Sequence, residues 1–199
     1  MATQITGTTQ LQAINIMLSE IGEAPVNSIS GTNNVDVAVA LNILNESAMA
    51  VQSQGWNFNS EYDVTYALDI NGYLVLPTNV LQADANNDNR FRNLVIRNGK
   101  MYDLDNHTDI FTATVPLDIV TVELFEQLPE YARHYITAKA ATRFSARFIG
   151  DDTLTKLTSD EAQAFTAFKQ ADGKSEDNNL LTSDANLHSI IHRPRRRSR

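Results

Sequence analysis

Apolar positions in the first fifty-five residues recur with helical spacing. Thr8 and Thr9 precede Leu11, Ile14, Leu18 and Ile21, which step at i, i+3, i+7 and i+10 and predict one buried face. Gln12, Asn15, Ser19 and Glu20 are turned away from it. The threonines suit the N-cap, and Gly22 with Pro25 stops the helix. After a polar turn from Ser28 to Asn34, the positions Ala38, Leu41, Ala48 and Val51, with Leu44 beside them, predict a second helix closing near Gly55. Its small residues, Ala38, Ala40, Ala48 and Ala50, permit close helix packing.

From Trp56 to Phe125 the period changes to two. Tyr62, Val64, Tyr66 and Leu68 alternate with Asp63, Thr65, Ala67 and Asp69, as in a half-buried strand. Asn71-Gly72 separates that run from Tyr73–Leu76, and Asn98-Gly99 separates Leu94–Arg97 from Lys100–Tyr102. Asn-Gly supplies the positive φ angles of tight hairpin turns, so two hairpins are expected, with Asp84 to Arg90 as a polar loop between them. A last strand is expected over Leu117–Phe125, its apolar face being Val120, Val122 and Leu124.

Helical spacing returns after Pro129, which suits a first turn. Ala132, Ile136, Ala140, Phe144 and Phe148 step by four, and Gly150 ends the run. A fourth helix is expected from Asp152 or Thr153, burying Leu154, Leu157, Phe165 and Phe168. The order predicts an α+β fold. Residues 1–55 and 126–175 would form a discontinuous helical bundle, 56–125 an inserted antiparallel β module, and 176–199 a flexible C-terminal tail.

Composition narrows the function. The chain has 199 residues, 42% of them hydrophobic, enough for a real core. It has no cysteine, which removes disulfides and thiolate metal sites and fits a reducing cytoplasm. No apolar run is long enough to span a bilayer, and Met1–Gly7 does not read as a signal peptide. The net charge of −8 is unevenly spread. Residues 1–89 hold nine acids and no Lys or Arg, whereas Arg193, Arg195, Arg196, Arg197 and Arg199 crowd the last seven positions. An acidic body opposes broad nucleic-acid binding, which draws on Lys and Arg.

Candidate chemistry is sparse. His188 and His192 have the i, i+4 spacing of a metal pair but no third ligand nearby, while His107 and His134 are isolated. Asp103–Asp109 opens like a calcium loop, yet lacks glycine at the sixth position and carries Thr114 at the twelfth, so a turn is the better reading. Asp151-Asp152 reads as helix capping. No phosphate-cradling loop, nucleophile elbow or zinc-protease motif occurs, so no catalytic, metal or cofactor site is assigned. Arg133, Lys139, Arg143 and Arg147 form a polar helix face, either a stripe for an acidic neighbouring subunit or a solvated face complementing the helix dipole. Gly55, Trp56 and Phe58 stand where helix gives way to sheet, which makes Trp56 an anchor at that junction.

Three segments together carry a resemblance. They are Ile21-Gly22-Glu23-Ala24-Pro25-Val26, then Ser53-Gln54-Gly55-Trp56-Asn57-Phe58-Asn59, then Leu128–Arg133 continuing to Thr142–Gly150. In order and spacing they resemble the tail tubular protein A family, the head-to-tail adaptors of short-tailed podoviruses, from about Leu11 to Ala171. The arginine-rich end departs from that pattern. The resemblance implies a structural virion protein assembled in the host bacterial cytoplasm, forming a homo-oligomeric ring of about twelve copies. The ring would bind the portal above and the tail nozzle protein below, seat the tail fibre, and conduct DNA without sequence-specific binding. The helical bundle would build the ring and the β module would project from it. On that reading the terminal arginines would meet portal carboxylates and the basic helix face would meet a neighbouring subunit. A virion-associated glycan-degrading enzyme and a nucleic-acid binder using the arginine tail are the competing classes.

Overall fold

The computed structural model describes residues 7–30, 34–85, 93–148 and 151–175, with side chains of the last segment from Leu154 onward. Four helices and five strands follow the order α1 (Gln10–Glu20), α2 (Val35–Gln52), β1 (Ser60–Val64), β2 (Val80–Ala85), β3 (Leu94–Arg97), β4 (Lys100–Asp103), β5 (Leu117–Thr121), α3 (Glu130–Ser145) and α4 (Asp151–Ser175). The fold is α+β, as the change of hydrophobic period predicts.

Local chemistry sets the ends of α1. The Thr9 side chain accepts from the Gln12 N–H while the Gln12 side chain accepts from the Thr9 N–H, a reciprocal capping box. At the other end Gly22 adopts φ +81. Its N–H donates to the Ser19 carbonyl and that of Glu23 to the Leu18 carbonyl, the paired bonds of a Schellman stop. Asn15, placed by periodicity on the outward side, is half-buried: its amide bonds both the N–H and the carbonyl of Val26, pinning the following loop.

The helices share one core. Ala13, Ile14, Met17 and Leu18 of α1 pack with Val37, Ala40, Ile43, Leu44 and Val51 of α2, Ala132, Ile136, Ala140 and Phe144 of α3, and Ala164 and Phe168 of α4. The buried face of α2 is turned part-way from the predicted one, with Leu44 and Val51 buried as expected. Ala38 and Ala50 are exposed, and Leu41 and Ala48 only half-buried. Small side chains fit either face, so the branched Val37, Ile43 and Val51, which fill volume, decide the rotation. Phe148, the last predicted position of the α3 stripe, lies past the helix end and is 49% exposed.

A second cluster holds Leu74, Leu76, Ala85, Leu94, Met101, Phe111, Val115, Leu117 and Ile119. Here β1, β5 and β2 form an antiparallel sheet in that order, and β3 and β4 form a hairpin. Asn98 and Gly99 at its turn have φ +52 and +71, as a type I′ turn requires. Four expectations are corrected. Val80–Ala85 forms β2, so Asp84 belongs to a strand; residues 86–90 of the expected loop lie outside the described residues. The predicted Tyr62–Leu68 strand breaks at a bulge where Asp63 has φ +58, and Asn71-Gly72 closes isolated bridges, not a full hairpin. In β5, Leu117, Ile119 and Thr121 are the buried face; the strand stops at Thr121 and Leu124 is 72% exposed. Pro116 precedes that strand, and the side facing the second core wins over the more apolar-looking one.

Buried amides join the two clusters. The Gln52 side chain donates to the Glu123 carbonyl (3.1 Å) and accepts from the Glu123 N–H (2.7 Å). Asn59, 2% exposed, donates to the Gln52 and Thr121 carbonyls and accepts from the Trp56 N–H. Asn59→Ala would take one side-chain partner from all three backbone groups. Since an unsatisfied buried polar group costs about 1–3 kcal/mol, urea denaturation should show a loss of at least that size. Asn59→Asp keeps an acceptor but not the donors, and should be no milder. An unchanged midpoint in both would show that this network contributes nothing to stability.

Candidate functional site

The sequence-predicted junction residues lie together. Gly55 has φ +70, and a Cβ there would stand 3.1 Å from Val120 Cγ2, so both backbone and space select glycine. Trp56 is half-buried; its indole N–H donates to the Val51 carbonyl (2.8 Å) and its ring meets Phe168 edge-on at 4.4 Å. Phe58 meets Phe168 at 6.4 Å and Tyr131 at 6.3 Å. Tyr135 stacks on Phe168 at 5.2 Å, so one side chain of α4 gathers rings from the junction and from α3. Asp172, 6% exposed, completes the contact: Asn57 donates to its carboxylate and carbonyl, and the Tyr131 hydroxyl to its carboxylate. Burial first, and then the Asp172 charge, push the Tyr131 phenol up.

The four basic residues of α3 do not act as one stripe. Arg133 donates to the carbonyls of Leu128 (2.8 Å) and Thr8 (2.9 Å), and its side chain is 16% exposed. Arg143 bonds Ser47 (3.2 Å) and Glu46 (3.1 Å), tying α3 to α2. Lys139 lies near the Tyr135 hydroxyl at 3.4 Å, and Arg147 is exposed in the turn beyond α3. Three of the four thus bond within the subunit, and two of them, Arg133 and Arg143, reach other segments of the chain. Arg193, Arg195, Arg196, Arg197 and Arg199 lie outside the described residues, as do His188, His192 and Gly150.

Sequence reasoning missed the clasp on the chain's start. Glu130, at the first turn of α3, accepts from the Thr8 N–H (2.8 Å) and the Thr8 hydroxyl, and Gln10 N–H approaches Glu126 at 3.4 Å. A carboxylate opening a helix was the available signal, but nothing local says that its partner sits 122 residues away.

Two open concavities flank the junction. One of about 400 Å³ lies on the outward face of the three-stranded sheet, beside Gly55, Tyr62, Asp84, Asp118 and Val120. The other, about 420 Å³, lies at Asn79, Val122, Glu123 and Leu124. Asp84 and Asp118 are direct cross-strand neighbours. A glycoside-cleaving pair needs one carboxyl held protonated. Among the described residues two carboxyls are shifted, both downward, and neither belongs to that pair. The Tyr73 N–H, foremost, holds exposed Asp69 down; at Glu130 desolvation pulls up but is outweighed by the Thr8 bonds and the Arg133 and His134 charges. Asp103, in the calcium-like loop, instead accepts from the Asp105 and Asn106 N–H groups and caps a turn. Among the described residues no group of three His, Asp or Glu could hold a metal, and no helix is long and apolar enough to cross a membrane.

A welded helical core and β module, with charges spent on internal ties and open shallow surfaces, suit a structural component of a larger assembly. Residues 11–178 match the family described as Tail tubular protein, and the chain belongs to that family of phage tail structural proteins. It is similar to Tail tubular protein A of Klebsiella phage KP34, with 30% identity over 158 residues, 78% of this chain and 82% of that protein.

The Glu130 clasp has a defined pH sign. A carboxyl whose folded value is lowered contributes stability above its unfolded value, 4.5, and loses it as pH falls through the folded one. With Glu130 54% exposed, the effect should stay below about 1 kcal/mol. The protection factor of the Thr8 amide, taken against its intrinsic exchange rate at each pH, should fall on acidification in the wild type and be already low in Glu130→Gln. Equal protection in both proteins at neutral pH would refute the clasp.

Proposed function

We propose that this tail protein is the ring-forming adaptor between the portal and the tail nozzle. The family match over residues 11–178 carries the reading. The helical bundle (1–55 and 126–175) builds the ring, the β module (56–125) projects from it, and Gly55, Trp56 and Phe58 fix the angle between them. DNA passes through the ring without sequence-specific contact, and tail fibres attach to the assembled tail. Assembly takes place in the host cytoplasm.

Charge distribution supports the conduit reading. The first 89 residues carry no Lys or Arg, and acids on a channel wall repel phosphate and let the genome slide. Arg193–Arg199 docks on portal carboxylates, where bidentate guanidinium pairing favours arginine over lysine. Lys139 on α3 and Arg147 in the turn after it, neither tied to another helix among the described residues, are the better candidates for contact with a neighbouring subunit.

Native mass spectrometry of the protein mixed with the portal from the same genome tests the reading. A complex of about twelve copies per portal ring is expected. Deleting Arg193–Arg199 should weaken portal binding and flatten its salt dependence. A correctly assembled portal that binds no copies would sink the adaptor reading, and turnover of a capsular or cell-wall glycan would then be the assay to run.

A further inference from the structure

Helix α3 packs against the other three helices, with α1 and α2 in mutual contact and α4 docked through Tyr131, Tyr135 and Thr142. Arg143 reaches α2 from a different side of α3. The outward faces of α2 and α4 consequently look away on different flanks of the bundle. On α2 the exposed residues Val35, Ala38, Asn42, Asn45 and Met49 recur at i, i+3, i+7, i+10 and i+14, opposite the buried Val37, Ala40, Leu44, Ser47 and Val51. This stripe has no charge, and Val35 and Met49 are 72% and 45% exposed. On α4 the exposed Ser159, Ala162, Thr166 and Gln170 lie opposite the buried Leu157, Ala164, Phe168 and Asp172, again without a charge.

The margins of the two stripes differ in sign. The α1–α2 flank has no Lys or Arg of its own; its exposed acids are Glu23 in the loop after α1 and Glu46 at the edge of the α2 stripe, the latter bonded to Arg143. On α4 from Leu154 onward the exposed charges are Lys156, Lys169 and Lys174 against Asp160, with Glu161 half-buried and Asp172 buried. Interface cores are depleted in charge and enriched in methionine, with complementary charge at the rim. For a chain of net charge −8, copies repel unless an acidic flank meets a basic one. A ring needs two different, complementary faces on each subunit, whereas a self-complementary face closes at a dimer.

We propose that the outward stripe of α2 in one copy packs against the outward stripe of α4 in the next, which deepens the ring reading and rests on it. The bulky side of this contact is Val35 and Met49; the small residues of α4 let the helices approach. Ala38 and Ala50, spare inside the subunit, leave α2 room for it.

The chain has no cysteine, so introduced thiols report cleanly. Asn42→Cys would be combined in turn with Ser159→Cys, Ala162→Cys, Thr166→Cys or Gln170→Cys and oxidised in the full-length protein, alone and on the portal. One or more pairings should give a ladder of cross-linked multimers, with Asn42→Cys alone giving none. A second readout uses Asn42→Lys/Met49→Lys as an α2 variant and Ala162→Glu/Thr166→Glu as an α4 variant. Each alone should lose its multimers in native mass spectra, while an equimolar mixture should stop at dimers, since one intact face of each kind remains. Strong dimer cross-linking by Asn42→Cys alone would overturn the proposal in favour of α2 facing α2. Wild-type rings with no α2–α4 cross-link would overturn this interface and leave the ring reading standing. Monomers under every condition would refute both.

Discussion

The structure depends on a small set of buried amide hydrogen bonds between the end of α2 and the strand leading to α3. The five strands lie between α2 and α3 in the chain, so two chain crossings join them to the helices, and such joints hinge unless something fixes them. Gln52 grips both backbone groups of Glu123, and Asn59 binds the carbonyls of Gln52 and Thr121. The outgoing and returning crossings are therefore bonded to each other. Buried and satisfied, these bonds are specific as well as stabilising, because any slip would strand polar groups without water. The bonds thus hold the helical and β parts of this tail protein as one body.

Phe168 supports the joint from the other side. It is fully buried and lies within ring-contact distance of Trp56, Phe58, Tyr131 and Tyr135. Truncating such a residue typically costs about 3–5 kcal/mol, more than any single hydrogen bond around it. Asp172, one turn later, fixes where α4 stops sliding along α3, because Asn57 and Tyr131 both reach it. The C-terminal helix thus sets the packing of the junction as well as covering α3.

Much of this was legible in the sequence, and the limits have physical causes. Helix positions were readable because apolar spacing, Thr9, Gly22 and Pro129 all agree locally. The type I′ turn was readable because Asn98-Gly99 has few other uses. The rotation of α2 was not, since alanine lies on both faces and periodicity cannot weigh side-chain volume. Strand β2 was hidden because Leu81-Gln82-Ala83-Asp84 looks like a loop until β5 is there to pair with it. For the candidate site, the junction residues were visible as a cluster of Gly and aromatics. The fates of Arg133 and Arg143 were not, because their partners, Thr8 and Glu46, come from the far end of the chain.

Those long-range ties follow from the charge asymmetry itself. With no Lys or Arg before Arg90, a cation for the first helices must come from the C-terminal half. Arg133 supplies it to the start of α1 and Arg143 to α2, and Lys100 covers the Tyr73 ring at 3.3 Å in the β module. The imbalance in sequence thus becomes cohesion within the subunit, since the N-terminal part lacks the cations that the C-terminal part provides. The same logic extends outward once these cations are used. What remains on the surface is an N-terminal flank with acids and no base, and an α4 flank with three exposed lysines, the arrangement by which identical, net-negative chains can attract one another in one orientation only.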